Sequence, residues 1–244
     1  MYTLIKGKVI EGKKLGRTLG FRTANVEIAD NIIAEGTYKI NGLVNGEIYR
    51  GVGVYLKNSP VFEAHFFDFD ADIYGQEIEI IALYKIRENK RFESLDALKD
   101  QIQQDVEMVQ KTEDYVLTFG TFDILHPGHE YYLKNAKMHG DKIVMILATD
   151  ANVLRFKNRL PRNNQEMRLQ NIQQSFQFLD TVLIGEGNNP FQWLEIYKPK
   201  VICLGYDQMG FSDKLDTYIE KENLDTKVVR IQPFCEDIYK SSKM

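Results

Sequence analysis

The stretch YVLTFGTFDILHPGH, Tyr115–His129, sets the frame for reading this chain. Tyr115 to Phe119 is a short apolar run with the character of a buried strand. GTFDILHPGH (Gly120–His129) follows directly, and a helical pattern with Leu133 and Ala136 on one side takes over where it ends. Pro127 suits the first turn of that helix, where an N–H is not needed. His126 and His129 lie three apart on one face of the turn, and Gly128 between them lets backbone approach a ligand closely. A strand feeding a helix N-terminus that carries two imidazoles and free N–H groups is suited to phosphate. The chain has four histidines, and two of them sit here. Zinc is a poorer reading of the pair: no Cys or third His lies near it in sequence, and Asp123 alone is a thin complement.

Composition bounds the rest. A length of 244 residues predicts one or two domains, and 43% hydrophobic with 27% charged residues is ordinary for a soluble globular protein. A net charge of −4 argues against a general nucleic-acid binder. The two cysteines, Cys203 and Cys235, form neither a disulfide framework nor a metal spacing, so a reducing cytoplasm is the expected compartment. The start lacks a sustained apolar segment and no run approaches 18 apolar residues, so neither export nor a membrane span is expected. Nothing in the sequence fixes an oligomeric state.

The chain changes grammar part-way. Up to about Glu93 it reads as short strands, with Asn41-Gly42 and Asn45-Gly46 as hairpin-type signals. Ile78, Ile80, Ala82, Tyr84 and Ile86 alternate onto one face. This pattern predicts a closed antiparallel barrel. Ser94 then caps a helix whose Leu95, Leu98, Ile102, Val106 and Val109 step by three or four, expected to pack across the barrel. From Tyr115 strand-like runs at 115–119, 142–148, 181–184, 200–204 and 227–231 alternate with helical patterns such as Gln165–Phe176. That alternation implies a Rossmann-like α/β domain with a parallel sheet covered on both faces. The expected division is 1–112 and 113–244.

Two features of the first half carry chemistry. Residues 7–25, GKVIEGKKLGRTLGFRTAN, are glycine-rich and basic, and Thr23 and Asn25 offer hard oxygens fit to share Mg²⁺ with phosphates. Glu63 lies in VFEAHFFDF with apolar residues flanking it on both sides, which is costly unless the carboxylate is paired, with His65 or a lysine, or put to catalytic use.

Both halves resemble known families. The N-terminal segment resembles the riboflavin kinases through Gly7, Val9, Gly12 and Gly16 to Asn25, then Glu63-Ala64-His65, Asp68-Phe69 and Asp72-Ile73-Tyr74-Gly75. The likeness continues through Ile86-Arg87, Phe92, Ser94, Leu98, Gln101-Ile102 and Asp105. It implies that Gly16, Arg17 and Thr23 bind ATP, that Thr23 and Asn25 ligate its Mg²⁺, and that Arg87 and Phe92 contact the flavin. It also implies that Glu63 is the base that takes the proton of the ribityl 5′-hydroxyl. Arg22 stands where the family has Pro, bringing a charge that could meet phosphate, and the segment from Gly51 to Glu63 is shorter than usual.

GTFDILHPGH resembles the signature of the HxGH nucleotidyltransferases, most closely the archaeal-type FAD synthetases and glycerol-phosphate cytidylyltransferases. This implies nucleotide contacts from Thr121, Phe122, Pro127 and Gly128, with His126 and His129 donating to the phosphates. Lys157 is a candidate for the triphosphate or acceptor phosphate, its alternative being a solvated lysine. Arg168 matches a family arginine one residue out of register. Asp207, in Gly205-Tyr206-Asp207-Gln208, is expected at ribose or base, and Ser241 and Ser242 at phosphate. The combined expectation is a bifunctional enzyme that makes FMN from riboflavin and ATP, then FAD and pyrophosphate from FMN and ATP. Its partners are then small molecules, with no nucleic acid and no membrane. The alternatives are a cytidylyltransferase for a polyol phosphate and a non-catalytic flavin-binding module.

Overall fold

The computed structural model describes residues 2–12, 15–29, 32–185 and 189–234. They fall into two compact units, Met1–Glu113 and Asp114–Met244.

In the first unit six strands close into a barrel: β1 (Thr3–Ile10), β2 (Ala24–Glu27), β3 (Gly36–Val44), β4 (Glu47–Tyr55), β5 (Val61–Phe66) and β6 (Glu77–Arg87), in the order β1-β2-β5-β4-β3-β6 with every pairing antiparallel. Closure leaves no strand edge to solvent. Inward residues such as Ile5, Val26, Ile40, Phe62, Ala64 and Ile80 form its core. Asn45 and Gly46, with φ of 52° and 83°, make the two-residue turn from β3 to β4 that the sequence announces. Asn41-Gly42 is not a turn. It lies inside β3, where Asn41 is buried and a Cβ on residue 42 would come within 2.4 Å of the Phe66 ring. That glycine makes room for an aromatic side chain.

The single face expected for β6 also breaks. Ile78, Ile80 and Ala82 point into the barrel core, but the β3–β6 register shifts between Lys39 and Ile40 and again between Thr37 and Tyr38. Such an irregularity reverses the alternation, so Tyr84 is exposed and Ile86 joins a different cluster. That cluster, with Val52, Phe67, Ile102, Val106 and Val109, seats helix α2 (Leu95–Lys111). The Ser94 hydroxyl caps α2 by accepting from the Ala97 N–H at 3.1 Å. A short helix, α1 (Leu15–Leu19), sits between β1 and β2.

The second unit alternates strand and helix: β7 (Tyr115–Gly120), α3 (Pro127–Lys137), β8 (Lys142–Leu147), α4 (Asp150–Lys157), α5 (Gln165–Ser175), β9 (Thr181–Ile184), α6 (Gln192–Tyr197), β10 (Val201–Gly205), α7 (Met209–Lys221) and β11 (Lys227–Ile231). The strands form one parallel sheet in the order β11-β10-β7-β8-β9. From β7 the chain winds outward through β8 and β9, then returns to the other side of β7 as β10. The reversal lies between β7 and β10, and their carboxyl ends flank the crevice where such sheets bind ligands. No helix among the described residues is long and apolar enough to cross a membrane.

Candidate active sites

The Tyr115–His129 stretch ends at that crevice. β7 stops at Gly120, and Phe122 then takes the left-handed region at φ 48°, which reverses the backbone toward α3. The ring of Phe122 folds over Gly120, where a Cβ would meet it at 2.1 Å. It also lies 4.7 Å from the His129 ring, so the Phe122 side chain supports the histidine pair. His126 is the N-cap residue of α3 and makes no side-chain cap bond, and Pro127 opens the first turn. The imidazoles of His126 and His129 stack with centroids 3.8 Å apart and planes 21° from parallel.

Stacked and partly enclosed, both rings are held neutral. Burial lowers the pKa of His126. Burial, then the neighbouring His126 and Lys157 charges, push His129 down to about 3. At neutral pH each ring is therefore an uncharged donor beside the positive end of a helix. Because the unfolded chain has His129 near 6.5, it binds a proton there that the folded chain refuses. Stability of this unit is whole above about 6.5 and is lost as pH falls toward about 3. The expected result is that the urea midpoint, read on the chain's one tryptophan (Trp193), falls between pH 7 and pH 4. That fall shrinks in His129→Gln.

Further groups line the approach to the motif. Lys157, the last residue of α4, lies within electrostatic reach of His129, Asp207 and Asp123. Desolvation lowers its pKa, ahead of the opposing pull of Asp207. Asp207 follows β10 and is exposed. Gln208 spans the crevice, its Nε2 donating to the Phe119 carbonyl at 2.8 Å while its Oε1 accepts from the Gly205 N–H at 3.0 Å. Asp123 has a structural partner. Its carboxylate accepts from the backbone N–H groups of Arg162 and Asn163 at 2.7 and 2.9 Å and so pins the loop between α4 and α5 to the motif. Ser241 and Ser242 lie outside the described residues.

Arg168, which the sequence likeness left without a role, is fully buried. Its guanidinium donates to the carbonyls of Thr121, Ala148 and Asn163 at 2.6, 2.8 and 3.1 Å and to the Asp150 carboxylate at 2.6 Å. Those bonds tie the motif to the carboxyl end of β8 and the start of α4. Arg168→Met removes the charge and leaves the acceptors buried, so a loss of about 3 kcal/mol in unfolding free energy is expected. Chemical denaturation of the C-terminal unit measures it.

In the barrel, the register pairs Asn25 on β2 with Glu63 on β5, so the two side chains leave the same face. Phe62, Ala64 and Phe66 fill the core on the other face, while Glu63 is only half-buried. The apolar surroundings that the sequence suggests therefore lie mostly across the strand from the carboxylate. Gly12 and Gly16 bring the preceding loop close: a Cβ on Gly12 would meet the Asn25 amide at 2.3 Å, and one on Gly16 would meet the Phe21 carbonyl at 2.3 Å and the Thr23 hydroxyl at 3.2 Å. A cleft of about 130 Å³ opens here, lined by Gly12, Arg17, Arg22, Thr23, Asn25 and Asp72 among others. His65 does not face Glu63 as a dedicated partner. Its Nδ1 lies 2.8 Å from the Arg22 carbonyl oxygen, and its ring meets Phe21 and Phe67 edge-on. Arg22 pairs with Asp70, so the charge that replaces proline bridges two loops at the mouth of the cleft.

Arg87 and Phe92, the flavin contacts that the resemblance implies, lie at the β6–α2 end of the barrel. Arg87 commits its guanidinium to Asp105, with bonds of 2.6 to 3.0 Å that join β6 to α2. Phe92 is half-buried in the connection between β6 and α2, with Lys90 Nζ 6.0 Å from its ring centre.

Known proteins divide along the same lines. The cytidylyltransferase-like family model matches residues 117–244, and the riboflavin kinase (flavokinase) model matches residues 1–113. The chain belongs to the cytidylyltransferase-like family. It carries a riboflavin kinase domain ahead of that unit. An FAD synthase from Thermococcus sibiricus is 37% identical over 139 residues, 56% of this chain and 93% of the relative. The RNA-binding riboflavin kinase RibR of Bacillus subtilis is 42% identical over 116 residues, 45% of this chain and 50% of that protein. A bifunctional riboflavin kinase/FMN adenylyltransferase of Haemophilus influenzae is 42% identical over 111 residues, 42% of this chain and 36% of that enzyme. The chain thus spans half or less of those two kinase relatives.

Within this cytidylyltransferase-like unit, sequence reasoning gave neither Gln208 nor Arg168 the role that the structure shows. Both act on backbone carbonyls of residues distant in sequence, and no local pattern announces such a partner. In the kinase domain His65, a possible partner of Glu63 in the sequence, likewise engages a distant carbonyl, that of Arg22.

Proposed function

We propose that the chain performs two consecutive reactions of flavin-cofactor synthesis. The barrel transfers the γ-phosphoryl group of ATP to the 5′-hydroxyl of riboflavin, giving FMN and ADP. The second unit transfers AMP from a second ATP to the phosphate of FMN, giving FAD and pyrophosphate. One observation carries the proposal: a riboflavin kinase domain and a unit 37% identical to an FAD synthase share one chain, so the product of the first site is the acceptor for the second.

In the barrel, Glu63 accepts the hydroxyl proton as oxygen attacks the γ-phosphorus. Thr23 and Asn25 fit Mg²⁺: they are hard oxygen donors at the loop that Gly12 and Gly16 hold close, and Glu63 leaves the same face as Asn25. The described residues contain no group of three His, Cys, Asp or Glu side chains able to hold a metal alone. An ion bound there would complete its shell with phosphates and water and neutralise their charge. In the second unit, a phosphate oxygen of FMN attacks the α-phosphorus in line and pyrophosphate leaves. No covalent intermediate with the protein is needed. His126, His129 and the N-terminus of α3 donate hydrogen bonds to the phosphate oxygens as charge builds, Lys157 neutralises phosphate, and Asp207 reads the nucleoside.

Chromatography of flavins after mixing the protein with riboflavin, ATP and Mg²⁺ tests both steps. FMN followed by FAD is expected. Turnover only with CTP and glycerol phosphate would instead assign the second unit to polyol-phosphate chemistry, and absence of any product would leave a binding module.

A further inference from the structure

The α4–α5 connection has a composition that the phosphate chemistry alone does not need. From Ala151 to Asn164 the chain carries Arg155, Lys157, Arg159 and Arg162 and no acidic residue. Interleaved with these cations are large apolar side chains in water: Phe156 is 77% exposed and Leu160 62% exposed. An aromatic ring that solvated contributes nothing to a core, and Phe156 and Leu160 stand on either side of Lys157 in sequence within a basic strip. A cation already lies over the ring, with the Arg155 guanidinium carbon 5.5 Å from its centre.

The position of this strip is fixed at both ends. Lys157 is electrostatically coupled to His129 and Asp207 at the crevice. Arg162 and Asn163 are held by Asp123, three residues before His126. Asn158 turns the chain between them through the left-handed region at φ 54°, ending α4 where the strip begins to leave the helix. Phe156 and Leu160 therefore flank, in sequence, the lysine that reaches the crevice, on a segment anchored to the motif itself.

We propose that this segment is the acceptor subsite, with Phe156 and Leu160 forming the platform on which the planar ring system of the flavin rests and the flanking cations receiving its phosphate. The assignment rests on the reading of the second unit as an FMN adenylyltransferase. It explains how a fold shared with polyol-phosphate enzymes selects a tricyclic acceptor. A polyol phosphate offers the same charge to Lys157 and the arginines but has no flat apolar surface to cover Phe156. Phe156 and Leu160 are specificity residues, and the histidines keep the chemistry.

Steady-state kinetics of FAD formation on the full chain test the subsite. Phe156→Ala is expected to raise the KM for FMN by about five- to 150-fold, the range that stacking on an aromatic ring is worth, with the KM for ATP unchanged. Phe156→Trp is expected to restore the wild-type KM and to quench bound-flavin fluorescence at least as strongly as Phe156 does. Wild-type FMN kinetics in Phe156→Ala and Leu160→Ala, in an enzyme that makes FAD, would overturn the platform and leave the two-step reading standing. A wild-type protein that uses only CTP and glycerol phosphate would overturn both. A dimer that dissociates on Phe156→Ser with FMN kinetics unchanged would assign the patch to a second copy of the chain and overturn the subsite.

Discussion

Replacing His126 or His129 with alanine is expected to lower FAD formation from FMN and ATP by about 10²–10³-fold, the cost of removing one preorganised donor to a developing oxyanion. FMN formation from riboflavin should be untouched, because that chemistry belongs to the other unit. The stacked pair explains the size of the effect. Both rings are neutral near pH 7, so each donates a single N–H without the desolvation cost of a buried cation. His129 also rests on Phe122, and its Nδ1 finds no hydrogen-bond partner among the described residues. Truncation opens the stack as well as removing a donor. Asparagine at either position is a sharper probe, since it keeps a donor and loses the stack. Pyrophosphate release measured alongside kinase turnover checks the result, and equal loss of both activities would point to a folding defect instead.

Glu63→Gln is expected to reduce FMN formation by about 10²–10⁴-fold, the usual contribution of a positioned general base. The effect should lie in kcat, with adenylylation of supplied FMN unchanged. The substitution preserves shape on a half-buried outer face, so little change in stability accompanies it. Asn25→Ala, directly across the register, is the companion variant. It is expected to raise the Mg²⁺ requirement of the kinase reaction, whereas Glu63→Gln leaves that requirement alone. A Glu63→Gln protein with wild-type kcat would remove the carboxylate from the chemistry.

Particular residues show why some of this was readable in the sequence. Local chemistry sufficed for the helix that Pro127 opens, and for the turn at Asn45-Gly46, where two positive φ angles demand those residue types. The parallel sheet was readable because each apolar run is short, bounded and followed by a helical period. The reading failed where two distant segments decide the outcome. Asn41-Gly42 has turn composition, yet its glycine serves the Phe66 ring from another strand. The alternation of β6 holds to Ala82 and then breaks, because the register with β3 shifts. Arg168 is a bare match to a family arginine in one dimension and a fully buried clamp in three.

The sequence by itself determined the chemistry to be sought. Tyr115–His129 encodes a strand, a turn and a helix start with two histidines one turn apart, and every one of those signals is local. The tertiary structure alone decided how those parts are held. It brings Gln208 across the gap between β7 and β10, Asp123 onto the loop of Lys157, and Arg168 onto Thr121. These contacts join residues between about 40 and 90 positions apart, and hydrogen bonds of that reach follow from sheet order, which no short stretch of sequence contains.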